Sequence, residues 1–138
     1  VKQGVARLSV DTPGQGLVEI TKPVTLWLAE QSIAIGLLTI FCRHTSASLL
    51  IQENADPDVR RDLEDFFRLI APEGPHYRHD AEGPDDMPAH IRAALTQSQL
   101  SIPMENGRLA LGTWQGVYLY EHRNRPHRRE IVLHLIGE

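Results

Sequence analysis

The hydrophobic spacing changes period twice along this chain, and that change constrains the fold more than any single residue does. Near the end, "REIVLHLIG" (129–137) alternates polar and apolar residues, the period-two mark of a half-buried strand. Ahead of it, "LSIPM" (100–104), "RLALG" (108–112) and "QGVYLYEHR" (115–123) carry three more β signals. In the middle, Val59, Leu63, Phe66, Phe67 and Ile70 fall at spacings of 4, 3, 1 and 3. That is one apolar stripe of a helix, with Arg60, Arg61, Asp62, Glu64 and Asp65 outside it. Near the start, "RLSV" (7–10) alternates, and "IGLLTIFCRH" (35–44) is apolar and β-rich enough for a central strand. "ASLLIQE" (47–53) supplies the next strand. Strands, helices, then strands predict an α+β fold with a mostly antiparallel sheet, not a regular parallel βαβ fold.

Local punctuation supports this order. "DTPGQG" (11–16) is a turn cluster, followed by the short apolar piece "LVEI". Thr21 is placed to cap a helix over "KPVTLWLAEQS", with Pro23 in its first turn and Val24, Leu26, Trp27 and Leu28 as its buried face. Asp56 and Pro57 read as the N-cap and first residue of the next helix. "APEGPHYRHDAEGPDD" (71–86) is a long Pro- and Gly-punctuated loop, a kind of segment that often carries function. "MPAHIRAALTQS" (87–98) is a short helix, and Glu105-Asn106-Gly107 a turn. The 138 residues show no internal repeat and suit one domain over 1–138.

Charge narrows the partners. A formal charge of −4 gives no global attraction to a phosphate backbone, so nucleic acid is not an expected partner. No apolar run approaches the roughly 20 residues needed to cross a bilayer, and Val1-Lys2-Gln3-Gly4 opens no signal peptide. Cys42 is the only cysteine, so an intrachain disulfide is impossible and a cytoplasmic location is expected. Cys42 and His44 would share a strand face, but Ile40 and Phe41 beside them favour core packing over a thiol nucleophile.

Three stretches concentrate polar groups that a core does not choose. "HTSASLLIQENADPDV" (44–59) ends a strand on His44 and offers the hydroxyls of Thr45, Ser46 and Ser48 to an anion. Glu53, Asn54 and Asp56 lie just before a helix start; Asp56 is open to two readings, cap or site residue. The second stretch holds His76, His79, Asp80, Asp85, Asp86 and His90. Asp86 and His90 would share a helix face. His44, His79 and His90 together would form a three-imidazole metal set with a fourth position for water or substrate, although no HExxH or CxxC spacing supports it. His76 alone reads as an exposed loop residue. The third stretch joins "GTWQG" (112–116) to "EHRNRPHRR" (121–129). Gly112 and Gly116 permit close backbone approach, Trp114 offers a flat face and Gln115 an amide. Arg128 or Arg129 suits bidentate phosphate binding, whereas Arg123 and Arg125 read as a solvated hairpin tip.

"HTSASLLIQENADPDVRRDLEDFF", "YRHDAEGPDDMPAHI" and "GRLALGTWQGVYLYEHR…RR" together resemble the YjbQ family, also called uncharacterised protein family 0047. The resemblance runs from about residue 5 to the final "LIGE". It implies a small α+β fold with a β-sandwich-like sheet arrangement, a homotrimer, and a secondary thiamine-phosphate synthase activity. The family's recurring polar positions fall here on His44, Thr45, Ser46, Asn54, Asp56, His79, His90, Trp114, Gln115, Glu121 and Arg129. Gln99 and Gln52 depart from the family's usual residues. A synthase reading would have His44, His79 and His90 hold a divalent metal, with Thr45, Ser46 and Arg129 on a small phosphorylated metabolite. Asp56 or Asp86 would orient an imidazole, and Trp114 would stack on a heterocycle. Histidine ligands favour zinc, while diphosphate chemistry usually employs magnesium. The other readings of the same groups are a non-catalytic metal- or phosphometabolite-binding trimer and a metal-dependent phosphohydrolase.

Overall fold

A computed structural model describes residues 1–138. The chain runs β1 (Lys2–Thr12), β2 (Gly16–Glu19), α1 (Thr21–Ala29), β3 (Gly36–Cys42), β4 (Ala47–Glu53), α2 (Pro57–Ile70) and α3 (Asp86–Leu95). It ends with β5 (Gln99–Glu105), β6 (Arg108–Leu109), β7 (Gln115–Glu121) and β8 (His127–Gly137). One sheet has the order β1-β8-β3-β5-β6, the other β2-β7-β4, and every pairing is antiparallel. The antiparallel α+β fold expected from the hydrophobic spacing, in the sandwich-like arrangement that the family resemblance implies, is the fold observed.

The alternation in "REIVLHLIG" does its work in the first sheet. Ile131, Leu133 and Leu135 of β8 face inward beside Leu38 and Ile40 of β3, all at most 1% exposed. They pack on the inner face of the second sheet, including Leu49 of β4 and Val117 and Leu119 of β7. Each such side chain contributes roughly 1.5–3 kcal/mol when fully buried. The second sheet's other face is covered by α2, where Phe67 meets the Tyr120 ring edge-on at 5.6 Å and Arg60 donates to Tyr118 Oη at 2.9 Å. The result is two packed sheets with α2 outside the second, while α1 adds Val24 and Leu28 to the core between them.

Several elements differ from their sequence outline for local reasons. β1 is far longer than "RLSV", because it pairs with β8 from Lys2 opposite Gly137 to Thr12 opposite His127. Thr21 is the first helical residue of α1, not its cap; its Oγ1 donates to Glu19 and accepts from the Val117 amide, tying the helix to β7. Leu26 is 61% exposed, so the buried face of α1 is narrower than expected and rests on Val24 and Leu28. On α2 only Phe67 of the stripe is buried; Phe66 and Ile70 stay exposed. α3 starts one residue earlier than expected and stops at Leu95, because Gln97 turns to bridge Leu49 on the free edge of β4. Asp56 is the α2 cap, accepting the Asp58 amide at 2.9 Å, with Pro57 at the first position. Asn106 and Gly107, both at positive φ, make the β5–β6 turn.

Candidate metal centre

α3 begins inside a set of titratable groups. Asp86 is its first residue and only 2% exposed. Its Oδ1 accepts from an Arg123 terminal nitrogen at 2.7 Å. Its Oδ2 lies 2.7 Å from His79 Nε2 and 3.1 Å from His90 Nε2. His90 reaches it from one helical turn on, and His79 from the preceding loop. Glu82 Oε2 stands 3.3 Å from His79 Nε2. One donor atom from each of His79, Glu82, Asp86 and His90 lies within 4.8 Å of the others.

The other nitrogen of His90 settles its chemistry. Nδ1 is 2.9 Å from the Thr45 carbonyl oxygen, which only accepts, so Nδ1 carries a proton. Nε2 then faces a carboxylate oxygen at 3.1 Å, a separation that a shared proton or a cation bridges. A backbone carbonyl on one nitrogen and an open lone pair on the other is how ligating histidines are usually oriented. Burial works against ionisation of Asp86, but the His79 hydrogen bond and the charges of His90 and Arg123 hold its carboxyl below the usual carboxylate range. The hydrogen bond to Asp86 also raises the His79 pKa. Arg123 is anchored independently by Asp85, whose Oδ2 accepts both Arg123 Nε at 3.0 Å and the Asn124 amide at 2.9 Å. Beside this group a cleft of about 400 Å³ is lined by Glu82, Gly83, Pro84, Asp85, Arg123, Asn124, Arg125 and His127.

A second polar group closes the adjoining end of the sandwich. Glu121, fully buried, accepts Arg129 Nε and Thr12 Oγ1 on Oε1, both at 2.8 Å. Its Oε2 accepts Arg129's terminal nitrogen and the Arg123 amide. Arg129 also donates to the Ser46 carbonyl and hydroxyl oxygens, at 3.2 and 3.0 Å. His44 Nε2 accepts the Glu130 amide at 2.9 Å. Burial, and then the nearby Arg129 charge, pushes the His44 pKa down and keeps the ring neutral.

The structure therefore divides the residues singled out in the sequence. His79 and His90 do converge, and Asp86 is the carboxylate that orients them. His44 lies outside that donor group, its ring nitrogen taken by a backbone amide. Thr45 contributes its carbonyl, and Ser46 accepts from Arg129. Arg129 is spent on Glu121 and Ser46 inside the sandwich and is not a free phosphate ligand. Asp56 is a cap. Asn54, Trp114 and Gln115 sit at the far end of the β4–β7 pair, where Glu53 opposes Gln115, whereas Ala47 opposes Glu121 beside the histidines. Six residue steps separate those ends, roughly 20 Å. There Asn54 Nδ2 donates to Glu19, Gln115 Oε1 accepts the Gly112 amide, and Trp114 is 62% exposed. Gly116 has the close approach expected of it: a Cβ there would meet Glu19 Oε2 at 2.7 Å.

Cys42 is a core residue, 2% exposed, with burial pushing its thiol pKa up. Arg123 and Glu82 are site residues that the sequence reading did not assign. Arg123 looked like a hairpin charge because its carboxylate partners lie 37 and 38 positions away. His122 carries no local sequence signal either; it is 1% exposed and 2.8 Å from Ser48 Oγ, and its pKa is pushed down to about 3 by burial and by Arg92.

The fold and this centre define a class: a small antiparallel α+β sandwich with a histidine–carboxylate group where a loop and a helix start meet the sheet end. The family described as UPF0047 protein YjbQ-like matches residues 6–138, and the chain belongs to it. It is 54% identical to the Synechocystis UPF0047 protein sll1880 over 95% of this chain and 90% of that protein. It is 42% identical to Escherichia coli O157:H7 YjbQ, over 95% and 96%. Among solved structures, an uncharacterized YjbQ/UPF0047 protein of Clostridium acetobutylicum superposes with a TM-score of 0.88 at 37% identity, covering 95% of this chain and 99% of that one. The conserved hypothetical protein TT1486 of Thermus thermophilus gives 0.85 at 40%, with the same coverage.

Proposed function

We propose that the chain is a metal-dependent enzyme acting on a small phosphorylated metabolite, with its reaction centre at His79, Asp86 and His90. One observation carries this reading: His90 is held by the Thr45 carbonyl so that its Nε2 faces a buried carboxylate shared with His79. These residues and Glu82 would hold a divalent ion. Two imidazoles and two carboxylates fit zinc or a neighbouring transition metal better than magnesium, which prefers oxygen ligands. Bound there, such an ion supplies charge neutralisation for a departing oxygen and acidifies a bound water. The chain's own contribution is orientation: Arg123 pins Asp86 from behind, and Thr45 pins His90.

The reaction we assign first is of thiamine-phosphate synthase type: a thiazole phosphate nitrogen bonds to the methylene carbon of an aminopyrimidine methyl diphosphate as pyrophosphate leaves. In this reading the leaving group would lie in the adjoining cleft, which Arg125 and His127 help to line. A second reading, hydrolysis of a phosphate ester, is favoured by the donor set itself, which is of the kind that activates water. We further propose a homotrimer, supported by Val5, Leu37, Phe41 and Ile136, which are exposed together on the outer sheet face. A cytoplasmic setting rests on the lone free cysteine. No helix is long and apolar enough to cross a membrane.

The test is an assay of metal-loaded protein with aminopyrimidine methyl diphosphate, with and without thiazole phosphate, beside the His90→Ala variant. Pyrophosphate release that requires the thiazole supports the synthase reading, and inorganic phosphate release without it supports the hydrolase. Both activities should fall at least about 100-fold in His90→Ala, as expected for loss of metal-held charge stabilisation. Saturable binding with no product, or turnover unchanged by the substitution, would contradict the enzyme reading.

A further inference from the structure

Behind α3, on the side away from the histidine centre, lies a buried guanidinium with nothing to bind. Arg92 follows His90 by two positions, about 200° round the helix, so it points to the opposite side. It is only 4% exposed, and its Nε and one terminal nitrogen are shut off from solvent with no hydrogen-bond partner. Native structures seldom leave buried polar atoms unpaired, and a buried cation without a counter-charge is costlier still. Arg92 lines a cavity of about 270 Å³, with Gln15, Arg68, Pro72, Glu73 and Asn124. No lining residue is hydrophobic.

The other side chains round this cavity are accounted for. Arg68 gives one terminal nitrogen to Asp65 at 2.6 Å. Glu73, the one acid in the lining, accepts from Asn124 Nδ2 at 3.2 Å. Gln15 Nε2 makes a long 3.4 Å contact to the His122 carbonyl. Nearby, the Tyr120 hydroxyl and Glu64 Oε1 are also buried, and burial together with a hydrogen bond to Glu64 pushes the Tyr120 hydroxyl pKa up. The Arg92 charge is felt by its surroundings: after burial it is the main force holding His122 neutral. A chain of contacts from Thr96 Oγ1 to Ser48 Oγ at 2.5 Å, and from Ser48 Oγ to His122 Nε2 at 2.8 Å, keeps that ring facing away from solvent.

We propose that this cavity is a second, metal-independent anion site that takes the phosphate group of a small metabolite, with the one Arg92 nitrogen not sealed from solvent at its floor and Arg68 at its rim. Arg68 of α2 and Arg92 of α3 line it from two helices, and Gln15 and Asn124 add side-chain amides whose present acceptors, the His122 carbonyl and Glu73, leave each a second N–H. That spread suits a tetrahedral group with several acceptor oxygens better than a planar carboxylate. Arginine is the side chain best matched to such a group. The site does not depend on the metal reaction proposed above. Asn124 links the two, since its amide binds Asp85 while its side chain lines this cavity.

The experiment is calorimetric titration of chelator-stripped protein with inorganic phosphate at matched ionic strength, with acetate as the planar comparison. Wild type should bind phosphate saturably and more tightly than acetate. Arg92→Gln should weaken phosphate roughly 10- to 100-fold, the range for losing hydrogen bonds to a charged group. Arg68→Gln, an exposed change safe for folding, should weaken it by less but measurably, and decides the matter where Arg92→Gln fails to fold. His90→Ala should bind phosphate as wild type does. Absence of saturable binding in stripped wild type, indifference to Arg68→Gln, or loss of binding in His90→Ala would each overturn the proposal.

Discussion

Arg129→Met is expected to destabilise the protein by about 3–5 kcal/mol, the largest effect of any single change considered. The substitution keeps much of the side-chain volume and removes the charge. What it leaves behind is Glu121, fully buried, with Thr12 and one backbone amide as its remaining donors. Most of the loss is the cost of that stranded carboxylate, not the worth of the pair. A double change, Glu121→Leu with Arg129→Met, should therefore recover much of it. The pH dependence follows from the direction of the Glu121 shift. Burial raises its pKa, but hydrogen bonds from Arg129 and Thr12 and the Arg123 amide together take it below its ordinary 4.5. A depressed folded-state pKa means stabilisation that is present above about 4.5 and is lost as pH falls through the lower folded value. In Arg129→Met the balance reverses: burial then favours the protonated acid, so the gap between variant and wild type should narrow on acidification. Urea unfolding at pH 7 and pH 4 reads both effects; a loss under about 1 kcal/mol at pH 7 would contradict the account.

Asp86→Asn is expected to abolish metal binding at the proposed centre while leaving the fold in place. The amide keeps the shape of the carboxylate but presents no charge to His79, His90 or Arg123. Disturbing only the groups that orient metal ligands typically lowers metal affinity 10–100-fold. Removing the central carboxylate should exceed about 100-fold. The stability cost should be about 1–3 kcal/mol, at the lower end, because Arg123 retains Asp85 and the Glu82 carbonyl. Glu82→Gln is the internal comparison. Glu82 is 65% exposed and at the edge of the group, so its loss should weaken metal binding by less. Equal effects of the two substitutions would show that Asp86 is not the centre of the set.

The fold was legible because the period of apolar residues is a backbone property. Ile131, Leu133 and Leu135 alternate inward, and "DPDV" caps and starts α2 as its residue types dictate. Part of the site was legible for the same reason, since Asp86 and His90 are one helical turn apart. The rest was not, because it depends on which strand ends coincide. "HTSAS" and "ENADP" are close in sequence, yet β4 is extended and carries them roughly 20 Å apart. Arg129 suggests a phosphate ligand by its type; only the packing of the β7 end against β8 across the two sheets, which sets Glu121 beside it, makes it structural. Arg123 carried no local signal, because both of its partners come from the α3 start.

If His79, Asp86 and His90 hold a divalent metal, anomalous diffraction from crystals of the purified protein, recorded on either side of the zinc, iron and manganese edges, should reveal it. A single strong peak is expected between His79 Nε2, His90 Nε2 and the Asp86 carboxylate, absent in Asp86→Asn. Crystals grown with each of these metals in excess, and showing no peak within bonding distance of the two imidazoles, would contradict it.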